Sequence, residues 1–266
     1  MKKILCMTML CTFILSITNC GSKGSNRLPE NQVVSDAMTT LNERLPIHLE
    51  GLGRVRNVDC EGNNVVLYMN IKDESSSGLS VAKITDKPSL AKEIVSAQIG
   101  MMDNQLKEAL KSIASQSYGL KVLISGSSSR REGEINLTAD NIEMAIADSK
   151  EMTAEDFSLL MISMTTRLML PARVDQISTW TDTRMTEDSF EYVYRIDDGN
   201  LDFSSVDIEA LKREKVAMLG QNTDLLGNVV RGCIATHRNL IFRYIGNSSN
   251  KTINVVLSEN DLRNIL

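Results

Sequence analysis

Two stretches of this sequence, LNERLPIHLE (41–50) and TRLMLPARVD (166–175), align on their Leu-Pro pairs at an offset of 125 residues. At the same offset the apolar stretch VVLYMNI (65–71) falls on FEYVYRI (190–196) without a gap. Literal identity is low, but the apolar positions agree in both pairs of stretches. Because self-similarity at a constant spacing is the signature of a repeated structural unit, these stretches predict that the chain contains one unit twice.

The similarity continues toward the C-terminus at an offset of 120 residues. LKVLISG (120–126) falls on LIFRYIG (240–246), and EINLTADNI (134–142) falls on NVVLSENDL (254–262). One net shift of 125 − 120 = 5 residues therefore reconciles all four pairs. The predicted tandem units are residues 31–147 and 151–266.

Hydrophobic periodicity predicts the same order of elements in both units. A helix over about 31–44 ends at Leu45-Pro46, because proline disfavours helix in the residue before it. In the second unit Phe190 and Tyr192 alternate with Glu191, which is the period of a strand with one dry face. Closing hairpins are predicted from strands at about 120–125 and 133–138, and again at about 240–245 and 252–257.

A long helical stretch over about 89–117 lies between the strand pairs. Its apolar stripe shifts around the helix near Gly100, and Gly220 holds the same place in the second unit. A glycine inside a helix costs roughly 1 kcal/mol relative to alanine. We therefore expect a bend, or a break into two helices, at this point in both units.

These elements define the expected fold class. Each unit has the order α-β-β-α-β-β-α, in which an antiparallel sheet of two hairpins is covered by helices. The class is α+β, with two related modules in tandem.

The N-terminus has the layout of a secretion signal, with Lys2 and Lys3 followed by an apolar segment from Ile4 to Ile17. This segment is shorter than the roughly 20 residues that are needed to span a bilayer. The stretch ITNC, which ends at Cys20, resembles the lipobox of bacterial lipoproteins, although Asn19 differs from the usual Gly or Ala.

The resemblance to lipoproteins implies a division of the N-terminal segment and a location. Residues 1–19 would be the signal peptide, Cys20 would carry the lipid, and residues 20–30 would form the tether. Each buried CH₂ contributes about 0.8 kcal/mol, so two or three acyl chains anchor firmly while one does not. Gly21 stands where Asp often retains such proteins in the inner membrane. We therefore expect attachment to the outer membrane, facing the periplasm.

The charge of the mature chain limits the choice of partners. Removal of Lys2 and Lys3 leaves 29 − 2 = 27 basic residues against 34 acidic ones, a net charge of −7. This charge argues against nucleic acid or an anionic lipid surface as a partner. Two cysteines, Cys60 and Cys233, remain after the signal and Cys20 are set aside. They could form one disulfide, but two free and mostly buried thiols are favoured.

No catalytic constellation is recognisable in the sequence. The two histidines, His48 and His237, lie at junctions between elements, and the motifs of zinc, calcium and phosphate sites are missing. Neighbouring carboxylates such as Asp197-Asp198 fall where turns and helix starts are expected. We therefore expect neither a metal nor a cofactor.

Aromatic residues concentrate in the second unit, where they replace aliphatic residues at matching strand positions. They are interpreted either as larger core side chains or as a binding surface. The candidate surface comprises Trp180, Tyr192, Tyr194, Arg195 and Tyr244.

The sequence as a whole favours a lipid-anchored envelope protein that acts by binding. Its expected contacts are the membrane, through the N-terminal lipid, and an envelope protein, while its oligomeric state stays open. Two alternatives are a carrier that binds a small molecule or lipid on the aromatic sheet of the second unit, and a hydrolase whose carboxylates are assembled only by folding.

Overall fold

The computed structural model describes residues 29–71, 79–126, 132–148, 152–199, 203–221 and 225–265. Cys20 and the predicted signal peptide lie outside the described residues. Within the described ranges the chain forms two five-stranded sheets and nine α-helices. The α+β class that the sequence predicts is therefore confirmed. We refer to residues 29–148 as the first half and to residues 152–265 as the second half.

The described residues of the first half form five strands and five helices. In chain order they are α1 (Gln32–Glu43), β1 (Ile47–Leu49), β2 (Gly53–Glu61), β3 (Asn64–Ile71), α2 (Val81–Thr85), α3 (Pro88–Met101), α4 (Asn104–Ser115), β4 (Gly119–Gly126), β5 (Glu132–Leu137) and α5 (Ala139–Ala147).

The second half has a similar order of elements. In chain order they are α6 (Ala154–Met169), β6 (Ala172–Arg173), β7 (Ser178–Met185), β8 (Ser189–Ile196), a 3₁₀ turn (Phe203–Ser205), α7 (Ile208–Gln221), α8 (Leu225–Ala235), β9 (Asn239–Gly246), β10 (Thr252–Leu257) and α9 (Glu259–Arg263).

The sheets are mixed, so the prediction of antiparallel sheets is wrong, although the predicted antiparallel strand pairs form in both halves. The strand orders are β1-β2-β3-β4-β5 and β6-β7-β8-β9-β10. The central pairs, β3 with β4 and β8 with β9, run parallel, and all other pairs are antiparallel. The chain leaves one central strand and crosses over through helices before it enters the next, which returns it in the same direction. Each sheet also has a short edge strand, β1 or β6, that the sequence pattern does not show.

The two sheets share an irregularity at matching positions. The ladder between β2 and β3 shifts between Val55 and Asn57, and the ladder between β7 and β8 shifts between Trp180 and Asp182. These shifts are 125 residues apart, the offset at which the Leu-Pro pairs align. Both Leu-Pro peptide bonds are cis.

The long helical stretch of the first half is broken, as the shift of its apolar stripe near Gly100 suggests. α3 ends at Met101, and Asp103 caps α4 by accepting a hydrogen bond from the N–H of Leu106 at 3.0 Å. A side-chain oxygen at this position satisfies an N–H that has no partner inside the helix. The expected break is therefore present in the first half.

The helix α6 packs into the cores of both halves. Phe157, Met161, Met164 and Leu168 lie in the core of the first half, whereas Leu159 lies in the core of the second. On the side of the second sheet, the hydroxyl of Ser163 donates a hydrogen bond to the carbonyl of Thr183 at 3.0 Å. The two cores therefore meet at one helix.

Candidate functional site

An open cleft of about 990 Å³ lies in the first half beside the edge strand β1. Its walls are the end of α1, the turn between β1 and β2, the end of α3 and the start of α4. Both faces of β1 border it, because Ile47 and Leu49 are buried whereas His48 is exposed. The cleft is therefore assembled from segments that are distant in the sequence.

One side of the cleft is closed by an ion pair between Arg44, which follows α1, and Asp103, which caps α4. The N–H of Leu106 and the guanidinium of Arg44 lower the pKa of Asp103. The charge of Arg44 is thus already neutralised inside the protein. Both side chains remain more than two-fifths exposed, so we assign this pair a role in shaping the rim rather than in stability.

Three basic side chains on the outer face of the first sheet have no ion-pair partner among the described residues: His48, Arg54 and Arg56. All three are exposed, and His48 lies directly opposite Arg54 in the ladder between β1 and β2. The exposed carboxylates of Glu43 and Glu50 line the same cleft, so the cationic character is confined to the outer face of β1 and β2. This group of three basic side chains, the basic rim, can attract an anionic or acidic ligand.

The turn between β1 and β2 is held in place by contacts with the helices α3 and α6. Gln98 of α3 is 5% exposed, and its side-chain N–H donates a hydrogen bond to the carbonyl of Glu50 at 2.7 Å. Gly51 has a φ of 71°, and a Cβ there would come within 2.8 Å of the Thr165 side chain of α6. The cleft wall is therefore fixed to both α3 and α6.

The aromatic residues that the sequence singles out come together on the helix-covered face of the second sheet. The rings of Trp180 and Tyr194 stack with their centroids 6.3 Å apart, and those of Tyr194 and Tyr244 stack at 5.2 Å. Tyr192 contacts Trp180 edge-on at 5.2 Å and is only 3% exposed. Burial raises the pKa of all three tyrosines.

The rings in this cluster cover one another's faces, which a ligand would need for stacking. This arrangement supports the packing interpretation more than the binding one. Arg195 is not part of the cluster, because it alternates with Tyr194 along β8 and is exposed on the opposite face.

The opposite face contains an ion pair that the sequence analysis missed. Glu191 is 6% exposed, and one of its carboxylate oxygens accepts hydrogen bonds from Arg243 at 2.9 Å and from Ser189 at 3.3 Å. The strand pattern places Glu191 on the polar face but carries no signal that this face is covered at that point. The Nε of Arg243 is buried without a hydrogen-bond partner among the described atoms.

The remaining candidate groups are not assembled into a reactive site. Cys60 and Cys233 are both free, and burial raises the pKa of Cys233 to about 12, which keeps its thiol protonated. His237 is exposed, and its Nδ1 lies 3.0 Å from the Glu259 carboxylate. Among the described residues no group of three His, Cys, Asp or Glu side chains could hold a metal ion. Within those same residues, none of the helices has the length and apolar character that crossing a bilayer requires.

Comparisons with protein-family models, curated proteins and solved structures found no match to this chain. The site must therefore be interpreted from its own geometry.

Proposed function

We propose that this chain is a lipid-anchored, periplasm-facing envelope protein that binds a second envelope protein through the cleft beside β1. The observation that carries the proposal is the basic rim, in which two exposed arginines and an exposed histidine have no ion-pair partner among the described residues at the edge of a 990 Å³ cleft. Arg44 on the opposite side is neutralised by Asp103. An acidic segment of the partner would therefore be drawn to His48, Arg54 and Arg56.

The short edge strand supports a protein segment as the ligand. β1 has only three residues and a neighbour on one side only, so its outer backbone groups are open to a further strand. The cleft borders both faces of β1, which provides room for the side chains of an added segment. An extended acidic peptide could pair with β1 while its carboxylates contact the arginines of β2.

In this proposal the anchor is the lipid on Cys20, and residues 20–30 are the tether. The support is the arrangement of the sequence, in which a basic start and a short apolar segment precede ITNC. Lipidation would confine the cleft to the membrane surface, where its partners would be concentrated.

We also infer that the two halves derive from one duplicated unit. The support is their common strand order, their parallel central pairs and a bulge at the same relative position. The two halves then have different roles, because the binding cleft lies in the first half and the aromatic cluster packs the core of the second.

The proposal predicts a specific crosslink from the cleft in living cells. With the photoreactive amino acid benzoylphenylalanine in place of His48, illumination should yield one dominant adduct with another envelope protein. Combined Arg54→Glu and Arg56→Glu substitutions should abolish this adduct, because they reverse the charge of the basic rim. Adduct formation is measured by gel shift and mass spectrometry.

The control places the same amino acid at Lys111, whose side chain is 62% exposed on α4 and outside the cleft. No such adduct is expected from this position. An adduct that forms equally from Lys111, or that persists in the charge-reversed protein, would contradict binding at the basic rim.

A further inference from the structure

Among the described residues the two sheets have four edge strands, and three of them carry features that oppose pairing with a long strand. β1 and β6 have three and two residues, too few to template a long partner. β5 carries exposed glutamates at Glu132 and Glu134. Short length and charge are the usual means by which proteins protect sheet edges.

β10 has none of these features. It is six residues long, TINVVL, without a charge or a proline, and its register with β9 runs from Thr252 to Leu257 without a shift. Val256 exposes 42% of its surface. In the matching strand β5 the residue at the same offset is Asn136, and Glu134 stands where β10 has Asn254.

The hydrogen-bonding pattern shows which backbone groups of β10 are open. The N–H of Gly246 in β9 donates to the carbonyl of Lys251 at 2.9 Å. Bonded and non-bonded positions alternate along an antiparallel ladder. Thr252, Asn254 and Val256 therefore direct their N–H and C=O groups away from β9, and no backbone hydrogen bond outside the ladder uses them within the described part of the chain.

The charged residues at the two ends of β10 favour an antiparallel pairing with a second copy of the chain. Lys251 precedes the strand, is exposed and makes no ion pair among the described residues. Glu259 follows the strand; its carboxylate contacts Arg263 and His237 of the same chain and keeps 30% of the side-chain surface exposed. In an antiparallel pair of two β10 strands, each Lys251 lies near the Glu259 end of the other copy. A parallel pair would instead bring like charges together.

The alternation of inward-facing and outward-facing side chains along β10 is also compatible with an antiparallel pairing of two copies. Ile253, Val255 and Leu257 face the helix-covered core, while their neighbours face outward. An antiparallel pairing centred near Val255 matches inward residues with inward residues in the two copies. The two sheets would then join across a two-fold axis with one continuous apolar face.

We propose that β10 is an assembly edge, through which two copies of this chain pair antiparallel to form a ten-stranded sheet. This inference is independent of the cleft, because β10 belongs to the other half of the chain. It identifies a second copy as the partner of this edge.

The test combines sedimentation with backbone hydrogen exchange on the purified full chain. We expect a concentration-dependent dimer, and slower amide exchange at Thr252, Asn254 and Val256 as the dimer forms. Val256→Lys should raise the dimer dissociation constant by at least about tenfold, since it places charge on the pairing edge. The matched control is Asn136→Lys in β5, which should leave association unchanged.

Each other outcome overturns the proposal. A chain that stays monomeric at concentrations approaching about 1 mM, where even weak association would be detected, has no such edge contact. A dimer that Val256→Lys leaves intact uses another surface. Slow exchange at these amides that does not vary with concentration would mean that the edge is covered within one chain. Circular dichroism confirms that Val256→Lys is folded, as its exposed position leads us to expect.

Discussion

Replacing Phe242 with alanine is expected to lower the free energy of unfolding by about 3–5 kcal/mol, the usual range for a buried phenylalanine. Phe242 is 1% exposed, and its ring lies 5.5 Å from the ring of Tyr192. The ammonium of Lys215 in α7 lies 5.9 Å from its centroid. Truncation would therefore leave a cavity between the second sheet and α7 and remove an aromatic pair and a cation–π contact.

The unfolding of Phe242→Ala can be followed locally, because Trp180 is the single tryptophan and packs against Tyr192. Guanidinium titration monitored by its fluorescence gives the midpoint for the second half. The control is Tyr68→Ala, an aromatic residue that is 37% exposed on the outer face of the first sheet. A Phe242→Ala midpoint equal to that of wild type would contradict the packing described for the second core.

Replacing Asp198 with asparagine is expected to loosen the turn between β9 and β10. Asp198 is 6% exposed, and its carboxylate accepts hydrogen bonds from the N–H of Ser248 at 2.8 Å, the N–H of Ser249 at 3.1 Å and the Ser249 hydroxyl. An asparagine presents an N–H to one of these donors, so at least one bond is lost. Gly246 lies beneath this carboxylate, where a Cβ would approach it within 2.2 Å.

The pH dependence of this effect has a definite sign. Hydrogen bonds from the Ser249 hydroxyl and the Ser248 N–H lower the pKa of Asp198 to about 2. A carboxylate whose pKa is lowered in the folded state stabilises the fold above its unfolded pKa of about 4. This contribution is lost as the pH falls from about 4 through 2.

The measurement compares wild type with Asp198→Asn by urea unfolding between pH 2 and pH 6. The stability difference should be largest at and above pH 5 and should shrink toward pH 2. Asp197→Asn is the matched control, because Asp197 is exposed beside it. A stability difference that stays constant with pH would show that the carboxylate charge does not hold the turn.

Local patterns in the sequence predict the elements of this fold better than their connections. The alternation in Val65–Ile71 and Phe190–Ile196 identifies β3 and β8, and Leu45-Pro46 marks the end of α1. The parallel central pairs are not predicted, because direction depends on the crossover through the helices and not on any one strand. The short strands β1 and β6 have too few residues to show a period.

The aromatic cluster and the cleft show the same limit of sequence-based prediction. Period-two alternation brings Trp180, Tyr194 and Tyr244 together on one face of the sheet. The same alternation assigns Arg195 to the other face, although the predicted binding surface includes it. The cleft could not be predicted, since its walls come from β1, α3 and α4 and meet only through packing. The dual packing of α6 likewise depends on how its side chains divide between two cores, which folding alone decides.

The proposed location and function rest on the lipid at Cys20, and mass spectrometry of the mature N-terminus from isolated membranes tests this lipid most directly. We predict that the chain begins at Cys20, that this residue carries acyl mass, and that Cys20→Ala eliminates this mass and releases the protein from the membrane. A chain that begins at another residue, or an unmodified Cys20 in a freely diffusing protein, would contradict the account.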